Sequence, residues 1–549
     1  MVVVRTVVTL VGCVLGAAWA VAGDTDGPVA HWTLDGNAND SGTSRLDARN
    51  QGVKFTGKGP DGKASAAVFD GQKAYLEVKP DARLCPGAED FTVALWVHTD
   101  EALDGDPGDL VSLYDEAKRV GFNLSLRTNA GVTGTVNVRQ LQFGIDAGAE
   151  PRWTDEGRPG NAVLAFALTV HDGHLYAGTA DNASGKTGRV YRFDQTGEWI
   201  DCGAPDRCNA VTSLTAYKGR LYAATGKYRF AGSALPESDN TNPGGGVFRY
   251  EGDTRWSEVG RLPDVEAIAG MAVFQGRLYA SSLYKPAGFF RYESDGKWTA
   301  LPVPDGKRIE SLAVFNHSLW ASSYDDGRVY RYDGIRWEDL GRLGDNTQTY
   351  AFTVHRGLLC VGTWPSGKVF RMADDRWEDL GRLGDEREVM GMLVHNGQLY
   401  GGTLPLGAVF RYDGGQGWTS TGQLDTTPDV TYRRVWAMAA FDGRLFCSTL
   451  PSGRVHSLEA GPCATFDREL PPGWQHVAAV KHGGVLQLYV NGTRVAESRR
   501  FDPARFDLVN EAPLRIGAGG GDFFHGSLTD VRLYHRALGE AEINALTRR

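Results

Sequence analysis

The central part of the chain repeats one pattern of apolar and polar residues about every forty positions. The repeats align on a Gly-x-Leu-aromatic-small motif, as at 219–223, 276–280 and 397–401. Within a repeat, large apolar residues alternate with polar or small ones, and this period of two predicts β-strands, four in each repeat. A period near forty residues that is built from strands indicates the blades of a β-propeller.

Seven tryptophan-bearing segments mark the fourth strand of the repeats, but one of them comes before any complete repeat. Segment 152–158, which begins Arg-Trp, matches 336–342 and 376–382, whereas the seventh repeat, 434–458, has no tryptophan strand of its own. We therefore predict that the strand of Trp153 completes the last blade. This closes a seven-bladed ring and leaves no open sheet edge.

The segments on either side of the repeats also carry strand signals. Asn491 and Gly492 stand between the strand-like pairs Tyr489-Val490 and Arg494-Val495, a pattern typical of a two-residue hairpin. The first flank alone would leave its sheet edges open. We therefore predict that the two flanks fold together as one antiparallel sandwich.

Four motifs in the flanks follow one another in a recognisable order. They are Phe-Asp-Gly at 69–71, Trp-Gln-His-Val-Ala at 474–478, Leu-Tyr-Val-Asn-Gly at 488–492 and Gly-Ser-Leu-Thr-Asp-Val-Arg-Leu-Tyr at 526–534. Their order resembles that of laminin-G-like, concanavalin A-like jelly-roll domains. The expected fold class is all-β: a jelly-roll β-sandwich, 27–148 and 460–549, split by an inserted seven-bladed β-propeller, 149–459.

The resemblance implies extracellular recognition of glycans or of protein surfaces, and in some relatives a structural calcium ion. Asp40 and Asp530 are the candidate calcium ligands, because hard carboxylate oxygens suit this cation. The alternative is that the two carboxylates cap a turn and a strand end without any metal. No other cofactor is expected.

The start of the chain predicts export. Residues 1–22 hold one early arginine, an apolar run and small residues suited to cleavage, as in a secretory signal peptide. The apolar run continues past Cys13, which argues against lipoprotein anchoring at that cysteine. No later stretch is apolar enough to cross a bilayer. We expect a secreted protein, extracellular or periplasmic, with no transmembrane segment.

Charge and cysteine content refine this picture. The net charge of −9 argues against a nucleic-acid partner, which requires a basic face. Cys202 and Cys208 flank a short turn-like loop, so an oxidising compartment would favour a disulfide between them. Cys85 and Cys463 are left over and could pair.

Candidate binding residues are found where the repeats differ from one another. At the start of the innermost strands, repeats four to seven carry charged, amide and aromatic residues beside the predicted mouth of the central channel, and loops such as 363–367 and the insertion 226–246 should reach the same face. Such residues suit a binding surface, although ordinary loop ends are an equal alternative. The candidates are Arg308, Glu310, Gln348, Tyr350, Trp364, Glu388, Arg434 and Trp436.

The sequence contains no motif of a known catalytic site. A Gly-x-Ser-x-Gly elbow, a His-Glu-x-x-His pair and a phosphate loop are all missing. We therefore predict a non-catalytic recognition or adhesion protein. The alternatives are a carbohydrate-active enzyme that uses Glu310 and Glu388 at the channel mouth, and a structural component of a surface assembly. The recognition hypothesis predicts that Tyr350→Ala with Trp436→Ala abolishes binding and leaves folding intact.

Overall fold

The chain forms a two-sheet sandwich and a propeller, and nearly all of its regular structure is β-strand. The computed structural model describes residues 27–102, 105–130, 135–194 and 196–548, so the predicted signal peptide lies outside the described residues. The first nine strands belong to the sandwich. They are β1 Ala30–Trp32, β2 Arg49–Gln51, β3 Lys54–Lys58, β4 Ser65–Asp70, β5 Tyr75–Val78, β6 Phe91–Thr99, β7 Gly108–Asp115, β8 Val120–Ala130 and β9 Thr135–Ala147.

The propeller follows as seven antiparallel blades of four strands. Its strands are β10 Arg152–Asp155; β11 Leu164–His171, β12 His174–Ala180, β13 Val190–Phe193, β14 Trp199–Asp201; β15 Ala210–Tyr217, β16 Arg220–Gly226, β17 Gly246–Gly252, β18 Arg255–Arg261; β19 Ile268–Phe274, β20 Arg277–Ser282, β21 Phe289–Ser294, β22 Lys297–Leu301; β23 Ile309–Phe315, β24 Ser318–Ser323, β25 Arg328–Tyr332, β26 Trp337–Arg342; β27 Gln348–His355, β28 Leu358–Trp364, β29 Lys368–Ala373, β30 Arg376–Arg382; β31 Glu388–His395, β32 Gln398–Leu404, β33 Ala408–Gly414, β34 Gly417–Gln423; and β35 Arg434–Phe441, β36 Arg444–Leu450, β37 Val455–Glu459.

The early strand β10 closes the ring. It pairs antiparallel with β37 in the last blade, and Trp153 lies opposite Leu458. The chain therefore enters and leaves the propeller at the same blade. This confirms the predicted fold class, an all-β chain in which a seven-bladed propeller interrupts a jelly-roll sandwich.

The last strands complete the sandwich. They are β38 Cys463–Phe466, β39 Gly473–His482, β40 Val485–Val490, β41 Thr493–Glu497, β42 Leu514–Ile516 and β43 His525–Tyr534, followed by helix α1 Glu540–Leu546. One sheet has the order β3-β4-β43-β6-β39-β40-β41, with β1 paired to β43, and the other has the order β2-β5-β42-β7-β8-β9-β38. Strand β6 lies between β39 and β43, two strands that follow the propeller in the sequence. Phe91, Val93 and Leu95 point from β6 into the shared core.

Helices are few. Among the described residues, five short 3-10 helices lie in loops at Ala82–Leu84, Pro159–Asn161, Phe230–Ser233, Pro304–Gly306 and Pro503–Arg505. In the part of the chain that the structure describes, no helix is long and apolar enough to cross a membrane.

The sandwich covers one end of the propeller, where the turns between the first and second strands of the blades emerge. Gly357 N donates to Gly521 O at 3.0 Å, and Asn396 Nδ2 donates to Ile145 O at 2.9 Å. Strand β9 of the sandwich runs against the innermost strands β11, β15, β19 and β23. One end of the central channel is therefore covered by the other domain.

The structure does not contain the predicted disulfide between Cys202 and Cys208: both thiols are free and buried. Cys202 packs inside the first two blades, and its Sγ lies 3.7 Å from Ile200 O. The Sγ of Cys208 lies instead 3.5 Å from Ala210 O, against the start of β15. Each side chain is buried in its own strand environment, and burial raises the pKa of Cys208 to about 11.

The leftover cysteines are unpaired as well. Cys85 Sγ donates to Asn510 O at 3.2 Å, whereas Cys463 lies on β38 with its Sγ 3.8 Å from Ala464 O. No disulfide joins the two, because each thiol faces a backbone carbonyl beside its own strand or loop.

Candidate functional site

The eight predicted residues lie at the end of the propeller away from the sandwich, in four consecutive blades. Glu310, Gln348, Tyr350, Glu388, Arg434 and Trp436 occupy the first three positions of β23, β27, β31 and β35, the innermost strands. Arg308 precedes β23, and Trp364 ends β28. Because the innermost strands surround the channel, their first residues converge there.

A buried ion pair stands at the centre of this group. Arg434 Nε donates to Glu388 Oε1 at 2.9 Å, and these residues are only 7% and 1% exposed. The guanidinium also lies 5.4 Å from the ring centre of Trp436. Its Nη1 donates to Ser233 Oγ at 2.7 Å. Arg434 therefore links the inner strands to the 3-10 helix in the insertion 226–246.

That insertion closes the mouth of the channel. Tyr228 and Phe230 from the insertion pack in one apolar cluster with Phe166 and Trp436. The ring centres of Phe166 and Trp436 are 4.7 Å apart, and those of Phe166 and Tyr228 are 5.1 Å apart. The sequence predicted an accessible mouth, and this expectation is corrected: the insertion supplies large aromatic rings that fill the opening.

The proposed Tyr350 and Trp436 contacts with a ligand are corrected for the same reason. Each of these side chains is only 3% exposed, and the Tyr350 hydroxyl donates to the side chain of Gln348. Truncating both to alanine would remove core packing, so folding would suffer together with any binding.

Glu310 is a buried carboxyl group in the same cluster. It is 3% exposed, and its Oε2 atom has no hydrogen-bond partner among the described residues. Burial, and then the charge of Glu388, raise the pKa of Glu310 to about 8, against the opposing effect of the nearby arginines. Arg308 does not neutralise it directly, because its guanidinium is bonded to Asp325 at 2.7 Å.

Outside the closed mouth, partly buried aromatic side chains surround the propeller end. We call Tyr284, Tyr324, Trp364 and Tyr432 the aromatic rim. An arginine lies over each of these rings. Arg229 is 4.4 Å from the ring centre of Tyr284 and Arg308 is 4.4 Å from that of Tyr324, whereas Arg387 is 4.9 Å from Trp364 and Arg434 is 5.7 Å from Tyr432. The rings of Trp364 and Tyr432 approach edge to face at 6.3 Å.

Sequence reasoning identified only Trp364 in this rim, although a signal for more was present. Tyr284, Tyr324 and Trp364 follow one another at the forty-residue period of the repeats, each at or just after the end of a second strand. The arginines that cover them come from neighbouring segments, and Arg308 and Arg387 each directly precede an innermost strand.

The two candidate calcium ligands both contact His31. Asp40 Oδ1 accepts hydrogen bonds from the backbone N–H groups of His31 and Gly42, both at 2.9 Å, and its Oδ2 accepts one from Leu46. Asp530 Oδ1 lies 2.6 Å from His31 Nε2, and Arg532 lies 2.9 Å away.

N–H donors point at the carboxylate oxygens of Asp40 and Asp530, whereas calcium takes six to eight oxygen ligands. The described residues contain no group of three or more histidine, cysteine or carboxylate side chains placed to hold a metal ion.

One protein-family model matches part of the chain. Residues 455–544 match the concanavalin A-like lectin/glucanases superfamily, a stretch that runs from β37 through the second half of the sandwich to α1. No curated protein matches the chain.

Several solved structures are similar in fold. A catalytically inactive virginiamycin B lyase from Staphylococcus aureus, with quinupristin, is 12% identical; the match covers 56% of this chain and 99% of that one, with a TM-score of 0.44. The WD40 β-propeller domain of Doa1 is 12% identical, with 56% and 97% covered and a TM-score of 0.40. A xyloglucanase from Xanthomonas campestris is 15% identical, with 61% and 60% covered and a TM-score of 0.40. The likeness is of fold alone.

Proposed function

We propose that this protein is a secreted, non-catalytic recognition protein that binds extracellular carbohydrate or protein through its aromatic rim. The observation that carries the proposal is the group formed by Trp364, Tyr432 and Arg387. The two rings are partly buried and meet edge to face at 6.3 Å, and the exposed guanidinium of Arg387 lies 4.9 Å from the centre of Trp364.

This group has the chemistry of a binding surface. A pyranose ring has an apolar C–H face that can stack on an aromatic side chain, and its hydroxyl groups accept hydrogen bonds from a guanidinium. Exposed tryptophan, tyrosine and arginine are also the residues that dominate protein–protein contacts. Arg387 makes no ion pair or side-chain hydrogen bond within the described part of the chain, so its donors remain available to a ligand.

The test is a glycan array with the mature protein and with the double variant Trp364→Ala, Tyr432→Ala. We expect binding by the natural protein and at least a tenfold weaker signal from the variant. The control is Ile335→Ala, which truncates an apolar side chain that is 84% exposed in the turn between β25 and β26, at the other end of a blade.

Each outcome has a defined meaning. Binding that the double variant retains at full strength contradicts the role of the rim. A blank array directs the same variants to labelled cell-surface proteins, and if the natural protein captures nothing that the double variant loses, the proposal is wrong. Repeating the array in a chelator tests the calcium expectation for Asp40 and Asp530, which predicts that binding is lost there.

One observation favours a second candidate, a carbohydrate-active enzyme. Glu310 and Glu388 lie in one buried cluster, and a carboxyl whose pKa is about 8 suits a general acid. The insertion would have to open before a substrate could reach them. The test is release of reducing sugar from any bound polysaccharide. Turnover that Glu310→Gln abolishes would favour the enzyme, and binding without turnover favours the recognition protein.

A further inference from the structure

A second candidate site lies at the junction of the two domains, far from the aromatic rim. A cavity of about 480 Å³ opens there between the sandwich and the blade formed by β27–β30. This volume falls within the range of roughly 300–1,000 Å³ that is usual for small-ligand sites, and such sites favour domain junctions. The residues that matter here are Tyr75, Glu116, Arg356, Arg515, Asp522 and Phe523.

Two aromatic rings and an arginine form the sandwich side of the cavity. The ring centres of Tyr75 and Phe523 are 5.9 Å apart at an angle of 38°, and both side chains are partly buried. The guanidinium of Arg515 lies 5.7 Å from the ring centre of Tyr75, and its Nε donates to Glu77 at 3.3 Å. This side therefore offers apolar faces together with donors and acceptors.

The propeller contributes the opposite side through Arg356. Its guanidinium is ion-paired with Glu116 of the sandwich, and its backbone N–H donates to Gly520 O at 3.2 Å. Arg356 lies in the turn between β27 and β28. The cavity is therefore complete only when the propeller is seated on the sandwich.

The floor is a glycine segment that allows this close seating. A side chain at Gly520 would place its Cβ 2.8 Å from the carbonyl oxygen of Gly397 in the propeller, and one at Gly519 would meet Asp109 at 2.9 Å. Glycine at these positions brings backbone, with its hydrogen-bonding groups, to the cavity surface. The buried carboxyl of Asp522 follows directly, and burial raises its pKa well above the usual range.

We propose that this junction cavity binds a short neutral oligosaccharide. Its two arginines are each matched by a carboxylate, Arg356 by Glu116 and Arg515 by Glu77, so the walls carry no excess charge to attract an ion. Planar guanidinium and carboxylate groups hydrogen-bond to hydroxyl pairs, and the rings of Tyr75 and Phe523 stack on the C–H face of a sugar. The site is separate from the aromatic rim and does not depend on the proposed function of the rim.

The test is calorimetric titration with three neutral trisaccharides, cellotriose, xylotriose and maltotriose, and with trigalacturonic acid as the charged comparison. We expect at least one neutral trisaccharide to bind and trigalacturonic acid not to bind. Tyr75→Ala should weaken the affinity at least tenfold, whereas Tyr75→Phe, which keeps the ring, should change it less than threefold. Arg515→Gln is a second variant, should Tyr75→Ala fail to fold.

Location is checked by hydrogen exchange. Ligand binding should slow exchange in segments 354–358 and 515–523, which belong to different domains. The rim variant Trp364→Ala, Tyr432→Ala should keep the ligand-induced protection of segments 354–358 and 515–523, which separates this proposal from the first. The proposal is overturned if no neutral trisaccharide binds, if only the charged one binds, or if Tyr75→Ala and Arg515→Gln both leave the affinity unchanged.

Discussion

Glu310 is a residue whose protonation state the propeller controls. Its carboxyl is buried at the closed channel mouth, near the ion pair of Glu388 and Arg434, while Arg308 is held by Asp325. Burial and the charge of Glu388 raise the pKa of Glu310 to about 8, so the folded protein holds this carboxyl neutral at pH 7. In the unfolded chain the same group ionises near pH 4.5.

This difference predicts a pH-dependent stability. Because the folded-state pKa is the higher one, the contribution of Glu310 is fully present below about pH 4.5 and declines as the pH rises to about 8. The slope in this window is about 1.4 kcal/mol per pH unit for one group. Glu310→Gln removes the titration, so we expect the variant to gain stability over the natural protein between pH 5 and 8, measured by denaturant unfolding.

The matched control is Glu338→Gln, which changes an exposed carboxylate paired with Arg331. Its stability should follow the natural protein across the same pH range. Parallel pH profiles for Glu310→Gln and the natural protein would contradict a neutral buried carboxyl.

At the scale of the element, the repeated tryptophan joins neighbouring blades. Every one of these indole N–H groups donates to a backbone carbonyl of the preceding blade, at distances between 2.8 and 3.2 Å. Trp153 follows the same rule on β10, since its Nε1 donates to Thr421 O in the sixth blade. The ring is therefore linked all the way round, and β10 makes the last link.

Removing that link should loosen the closure. We expect Trp153→Ala to lower the free energy of unfolding by about 2 kcal/mol, because a half-buried ring and one hydrogen bond are lost. We also expect faster proteolytic cleavage within 149–158, because β10 is an edge strand whose strand partner is β37. Thermal unfolding and mass spectrometry of the early fragments measure both effects.

The control is Trp298→Ala, which removes the equivalent ring from an internal blade. It should cost a similar free energy without new cleavage at 149–158, because β10 keeps its contacts. Equal protection of 149–158 in both variants would argue against a special role for β10 in closure.

The predictable elements are those that the repeat dictates. The position of Trp153 before the first repeat and the missing tryptophan strand at 434–458 were enough to predict the closure. The cover over the channel was not predictable, because Tyr228 and Phe230 lie in the insertion and match no other blade. The rim was missed in part, since only the fold shows that Arg229 and Arg308 cover Tyr284 and Tyr324.

At the scale of the whole molecule, the propeller replaces a loop of the sandwich. Strands β9 and β38 pair with each other, with Gly144 opposite Cys463, while β10 and β37 pair beside them. The folded propeller thus acts as a short connection. If it unfolded alone, the sandwich would have to close a loop of about 300 residues, which costs about 4 kcal/mol more than a short loop. The two domains should therefore unfold together.

A buried charge cluster at their junction strengthens this coupling. Arg127 is ion-paired with Asp106 at 3.1 Å and also reaches the carbonyl of Val354 in the propeller at 3.4 Å. Asp109 and Asp522 lie close by, and burial raises the pKa of Asp109 to about 6 against the opposing charge of Arg127. One guanidinium thus compensates several buried carboxyl groups.

Arg127→Met should therefore destabilise both domains, and more at high pH than at low pH. Without the guanidinium the carboxyl groups have no positive partner when they ionise, so we expect a loss of about 3 kcal/mol at pH 8, the cost of breaking a buried ion pair. The raised pKa of Asp109 means that it is largely protonated at pH 5, where the loss should be smaller.

Calorimetry should record a single transition that moves to lower temperature. Arg336→Met, which alters an arginine whose side chain is 86% exposed, should leave the transition in place. Two separate transitions, or a loss that is the same at both pH values, would contradict this coupling.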